Sequence, residues 1–144
     1  MLISDVLAHK GPEVIRASSD ETVRSAVNKL SEHRIGALVV EDRWLKPIGI
    51  FSERDLLNCI AHQGPEVLDR PVHEVMTRPM ISFHPQDRID AALAMMTMKR
   101  IRHLPITEGG KLVGIVSIGD LVKHRLDEKE LENSVLLDIS RMRP

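Results

Sequence analysis

The 144-residue chain carries 20 lysines and arginines against 21 aspartates and glutamates, a formal net charge of -1 that disfavours non-specific attraction to nucleic acid or membrane surfaces. Its single cysteine, Cys59, excludes an intrachain disulfide, and an aromatic content of 2% argues against a stacking platform for single-stranded nucleic acid. No apolar run is long enough to span a bilayer, and Asp5 interrupts the apolar start, so a cytoplasmic location is expected.

Leu2, Ile3, Val6 and Leu7 form a short apolar pattern that Gly11-Pro12 ends. Ser18 to Glu21 reads as a capping-type start, after which Val23, Ala26, Val27 and Leu30 fall at helical spacing up to His33. Ile35 to Val40 and Ile48 to Phe51 are β-branched runs of strand length around the polar turn Glu41-Asp42-Arg43. Ser52-Glu53-Arg54-Asp55 opens a helix carrying Leu56, Leu57 and Ile60, and a connector containing Gly64-Pro65 spans 61–70. Val72, Val75 and Met76 repeat the opening apolar pattern until Pro79 stops it.

A helix is predicted over Gln86 to Arg100, with Ile89, Ala92, Leu93, Met96 and one of Met95 or Met98 toward the core, the methionines serving as flexible filling. Leu104 to Thr107, the Gly109-Gly110 turn and Leu112 to Val116 make a hairpin. From Ile118 a helical pattern crosses the charged run 123–132 and places Leu131, Val135, Ile139 and Met142 on one face. A module of this size has no core left to bury that stripe, which predicts a homodimer.

The chain repeats itself. Gly49, Ile50, Ser52, Asp55 and Leu56 recur 65 positions later as Gly114, Ile115, Ser117, Asp120 and Leu121. At an offset of 66, Ile15 pairs with Ile81, Val23 with Ile89, Ala26 with Ala92, Arg34 with Arg100, Ile35 with Ile101, Leu38 with Leu104 and Val40 with Ile106. Each copy reads strand, helix, strand, hairpin, strand, helix, giving an α/β (α+β) class in which two apolar sheet faces bury one another. The copies divide the chain into 1–65, 66–125 and a helical extension 126–144.

In both copies an apolar strand ends at a serine, and an aspartate three positions later opens a helix. The first helical N–H groups lack partners within the helix and attract anions such as phosphate. A serine hydroxyl adds a hydrogen bond, and an ionised aspartate accepts the vicinal hydroxyls of a ribose. A nucleotide supplies both groups, and with so few aromatics its base would rest on aliphatic walls. The same spacing is also a plain capping box, worth about 1 kcal/mol with no ligand involved.

The phrase Arg100-Ile101-Arg102-His103-Leu104-Pro105-Ile106, together with the two Gly-Ile-x-Ser-x-x-Asp-Leu phrases, resembles a tandem pair of cystathionine beta-synthase (CBS) domains, a Bateman module, over almost all of residues 1–125. The resemblance implies two β-α-β-β-α repeats related by a pseudo-twofold axis, with ligand clefts between them. It implies ligand contacts at Ser52, Asp55, Ser117 and Asp120, phosphate-facing roles for Arg102 and His103, and cleft walls from Leu104, Pro105, Ile81 and its counterpart Ile15. Arg54 is a further phosphate candidate, and Gly119 replaces it in the second copy, which suggests two unequal sites. The expected ligand is AMP, ADP, ATP or NAD(H), with S-adenosylmethionine not distinguished from them, and no resident cofactor is required.

Catalytic motifs are missing: there is no Gly-x-Ser-x-Gly elbow, no His-Glu-x-x-His, no phosphate-binding glycine loop with its lysine, and no second motif carboxylate beside Asp55 or Asp120. Cys59 lacks a nucleophile's surroundings, and His33, His62 and His73 lack metal-ligand spacing. The expectation is a non-catalytic module that reports nucleotide level to an unidentified regulated protein, against the alternative of an assembly module whose Ser-x-x-Asp pairs are only helix caps.

Overall fold

The computed structural model describes residues 1–142. Its elements are α1 (Ile3–Lys10), β1 (Arg16–Ser18), α2 (Val23–His33), β2 (Ala37–Glu41), β3 (Pro47–Ser52), α3 (Glu53–Gln63), two short 3-10 turns at Pro65–Asp69 and Val72–Glu74, α4 (Ile89–Lys99), β4 (His103–Glu108), β5 (Lys111–Ser117) and α5 (Ile118–Arg141). The mixed α/β class with a long final helix is as expected. In the first repeat β1 pairs parallel with β2, and β2 antiparallel with β3. In the second, β4 and β5 pair antiparallel, and the first strand shrinks to one parallel bridge between Phe83 and Ile106. Pro79 and Pro85 flank that segment and supply no amide to a ladder.

Several boundaries differ from the sequence reading. Helix α2 is capped by Thr22, whose hydroxyl accepts from the Ser25 amide at 3.1 Å, while Ser18 ends β1, its amide donating to the Glu21 carboxylate and its carbonyl accepting the Glu21 amide. Helix α4 begins at Ile89 rather than Gln86, because His84 to Asp87 close a turn in which the Asp87 carboxylate accepts the His84 amide. Met96 is buried and Met95 half-buried, whereas Met98 is exposed. Arg34 and Arg100 end α2 and α4 in the left-handed region, at φ 53° and 55°. The next amides, of Ile35 and Ile101, then reach back to the carbonyls of Leu30 and Met96, closing equivalent helix ends.

The two cores exchange segments. Ile3 and Val6 of α1 are buried with Ile89, Met96, Leu104, Ile106, Val116 and Leu121 in the second repeat. Val72 and Met76, at the start of the second repeat, are buried with Val23, Leu30, Leu38, Val40 and Phe51 in the first. Paired hydrogen bonds fix the exchange: the Ile3 amide donates to the Asp87 carbonyl and the Val72 amide to that of Glu21, at 2.8 and 2.7 Å. Strand glycines make room for the crossing segments. A methyl group on Gly114 would sit 2.5 Å from Cδ2 of Leu7, and one on Gly49 would sit 2.6 Å from the Met76 sulfur.

Alternation along the central strands decides what faces what. Leu38 and Val40, like Leu104 and Ile106, point to the helices. Ala37, Val39, Pro105 and Thr107 are buried on the other face, so the sheets cover each other. Arg16 crosses between them, donating to the Glu41 carboxylate and to the Leu112 carbonyl, each at 3.3 Å.

Candidate functional site

A cleft of about 390 Å³ opens where the end of β3 and the start of α3 meet the start of β4. The first repeat contributes Gly36, Ile50, Ser52, Glu53, Arg54, Asp55 and Leu57. Across from them stand Thr77, Pro79, Ile81, Arg100, Ile101, Arg102, His103 and Pro105. The lining combines the polar groups of these strand-to-helix turns with the apolar side chains of Ile50, Pro79, Ile81 and Pro105.

Asp55 caps its own helix and still faces the cleft. Its Oδ2 accepts the Ser52 amide at 2.9 Å and the Ser52 hydroxyl at 3.1 Å, and its Oδ1 accepts the Thr77 hydroxyl at 2.8 Å. A carboxylate offers about four lone-pair positions, so three donors leave room for one more. Two first-turn amides of α3 are already engaged, Glu53 with the Gly36 carbonyl and Asp55 with the Ser52 hydroxyl. The helix start is therefore less open to an anion than an uncapped one, and the cationic side chains Arg54, Arg100 and Arg102 gain importance.

His103 is half-buried beside this group. Burial pushes its imidazole below the ordinary histidine value, Lys10 and Arg102 act in the same sense, and Glu53 and Asp120 oppose them. The ring lies between two strand-to-helix junctions, and these surroundings favour its neutral form.

The related junction of the second repeat is arranged differently. Ser117 and Asp120 form the same reciprocal cap, at 2.9 and 3.0 Å. Lys10, the last residue of α1, places its ammonium 2.7 Å from Asp120 Oδ2 and 2.8 Å from the Ile115 carbonyl. Burial pushes the Asp120 carboxyl up, but the Lys10 and Ser117 hydrogen bonds outweigh it and hold the group below the usual carboxylate range.

Of the residues expected at a site, Ser52, Arg54, Asp55, Ile81, Arg102, His103 and Pro105 come together in one cleft. Leu104 does not: it is fully buried toward α1, α4 and α5, because its neighbour Pro105 takes the cleft-facing side of β4. Ile15 is half-buried before β1 and lies off this cleft, and Ser117 and Asp120 belong to the Lys10 junction. Sequence reasoning missed Thr77, Pro79, Arg100, Gly36 and Lys10. Arg100 stood inside the quoted phrase and could have been included, whereas Thr77 and Lys10 reach their junctions only through the exchange of segments. Among the described residues no group of three or more potential metal ligands occurs, and no helix is long and apolar enough to cross a membrane.

The sequence model of the CBS domain matches residues 3–62 and 72–127. The mitochondrial CBS domain-containing protein CBSX3 of Arabidopsis thaliana is 35% identical over an alignment 142 positions long that covers 90% of this chain and 67% of that protein. The CBS-domain containing protein ATU1752 from Agrobacterium tumefaciens superposes with a TM-score of 0.83 at 38% identity, covering 87% of this chain and 99% of that one. Two further structures hold ligands. CBS domain protein PAE2072 from Pyrobaculum aerophilum, complexed with AMP, has a TM-score of 0.78 at 29% identity over 92% of this chain and 99% of its own. The CBS domain pair of protein MJ0100, complexed with 5'-methylthioadenosine and S-adenosyl-L-methionine, has a TM-score of 0.79 at 25% identity over 89% and 98%.

Proposed function

The chain belongs to the CBS domain family, and from that premise we propose that it is a non-catalytic regulatory module that binds an adenosine-containing nucleotide between its two repeats. The observation that carries this reading is the convergence of Ser52, Asp55 and Arg54 from one repeat with Arg102 and His103 from the other around one cleft. The base rests on Ile50, Ile81 and Pro105, a ribose hydroxyl donates to Asp55, and phosphate or another anionic group meets Ser52, Arg54 and Arg102. The ligand is AMP, ADP, ATP, NAD(H) or S-adenosylmethionine. Bound AMP in one structural neighbour and S-adenosyl-L-methionine in another support the adenosine moiety that all five share. The module works in the cytoplasm as a homodimer joined through α5, and passes ligand occupancy to a regulated protein.

The competing reading, an assembly module with no ligand, draws on the capping boxes at Ser52 and Ser117, both fully formed. Thermal melts and calorimetry with adenine nucleotides, guanine nucleotides and S-adenosylmethionine separate the two. A ligand at about 100 times its Kd adds roughly 2.7 kcal/mol to the folded state, a readily measured shift in Tm. No shift and no heat from any adenosine compound would leave the assembly reading standing.

A further inference from the structure

The two strand-to-helix junctions have matching acceptors but different occupants. At the first, the segment crossing from the linker brings Thr77, whose amide donates to the Ile50 carbonyl at 2.8 Å and whose hydroxyl donates to Asp55. At the second, the crossing segment is α1, which brings Lys10 to the equivalent carbonyl, Ile115, and the equivalent carboxylate, Asp120. Thr77 is short and neutral, and the cleft beside it stays open. Lys10 places a full positive charge on Oδ2 of Asp120, where the first junction has only the neutral Thr77 hydroxyl against its aspartate.

We infer that the Ser117–Asp120 junction is a nucleoside site already filled by Lys10, so that the chain takes one equivalent of an adenosine ligand and Lys10 is the residue that sets this number. The inference rests on the nucleotide reading above and adds the stoichiometry. Two observations and one general principle support it. Lys10 ends a helix that Ile3 and Val6 anchor in the second core, so the ammonium is delivered to a fixed place rather than found there by chance. A tethered group competes at a high effective concentration against a free ligand. The second junction also has fewer matching cations than the open cleft: Arg34 corresponds to Arg100, but Gly119 stands where the first repeat has Arg54, and Gly36 and Ala37 stand where the second has Arg102 and His103.

Calorimetric titration of the full chain and of Lys10→Met, with AMP and separately with S-adenosylmethionine, tests this. The native chain is expected to take one equivalent and Lys10→Met two, the second being lost again in Lys10→Met/Asp120→Asn. Lys10→Gln is a second neutral variant should Lys10→Met melt early, and the same gain is expected from it. Two equivalents on the native chain would overturn the inference and make Lys10 a ligand contact. One equivalent on every variant would overturn it while leaving the nucleotide reading intact, and no heat from any chain would overturn both.

Discussion

The imidazole of His103 lies against Gly36, so closely that a methyl group on Gly36 would stand 3.1 Å from both Cε1 and Nε2 of the ring. The repeats are matched here by their difference. Where the second copy carries Arg102 and His103, the first carries Gly36 and Ala37, and the small pair admits the large ring across the pseudo-twofold axis.

Gly36→Val should therefore displace His103 from the wall of the cleft. The backbone at Gly36 is not left-handed, so the cost is steric, about 1–3 kcal/mol for an overpacked site. A melt would show that loss, and calorimetry should show weaker nucleotide binding than in a Gly36→Ala control.

His103 also sets a pH dependence. Its folded-state value lies below the ordinary 6.5, chiefly through burial and then through Lys10. Above that ordinary value both folded and unfolded chains hold a neutral ring. As the pH falls below it the unfolded chain takes up a proton first, so stability declines until the folded ring also titrates. Between pH 7.5 and 5.5 the native Tm should fall more than that of His103→Gln. A phosphate held beside the ring favours the imidazolium, so AMP should raise the His103 titration point followed by NMR; an unmoved titration would place the phosphate elsewhere.

Asp55 separates capping from ligand binding. Asp55→Asn keeps an oxygen that can accept the Ser52 amide but removes the charge, so affinity should drop by about 1.5–3 kcal/mol, the worth of a charge-assisted hydrogen bond. Asp55→Ala should lose the same affinity and a further ~1 kcal/mol of stability from the broken cap. Equal binding by all three chains would reduce Asp55 to a cap.

The strand glycines yield a comparison within one molecule. At Gly49 a methyl group would meet the Met76 sulfur and, at 3.0 Å, the Thr77 carbonyl, a main-chain atom near the Thr77–Ile50 pairing. At Gly114 the three nearest atoms are all in the Leu7 side chain, which can turn. Gly49→Ala is expected to cost about 1–3 kcal/mol in denaturant melts, and Gly114→Ala less. Met76→Ala should recover only part of the Gly49→Ala loss, since the carbonyl stays in place.

These glycines show what was legible in the sequence. Gly49 and Gly114, the Ser-x-x-Asp pairs and Arg34 with Arg100 recur because each copy needs the same close approach, helix cap and left-handed helix end, and these local needs leave a local trace. The exchange of segments leaves none. Ile3 and Val6 announce an apolar face, but nothing in their spacing tells which core receives it, and so the arrival of Lys10 at Asp120 stayed hidden. Leu104 and Pro105 were both expected at the ligand, but one step along a strand reverses the facing direction, so only Pro105 has the cleft side.

The final helix carries the last expectation. His124 is its last buried residue, while Leu131, Val135, Ile139 and Met142 are 67, 49, 49 and 82% exposed, one above the other at helical spacing. Within the described residues this stripe rests on no core of its own. Burying four such side chains from each of two chains is worth roughly 1.5–3 kcal/mol apiece. Against an association cost of about 4–15 kcal/mol, only the upper part of that burial range reaches the about 8 kcal/mol of a micromolar dimer, so the association depends on covering the whole stripe. Truncation after Lys129 removes the stripe and leaves Ser52, Asp55, Arg102 and His103 untouched, so it should abolish association while nucleotide affinity changes little. Sedimentation of both chains at micromolar concentration checks this: a monomeric full-length chain, or a dimer that survives truncation, would move the interface away from α5.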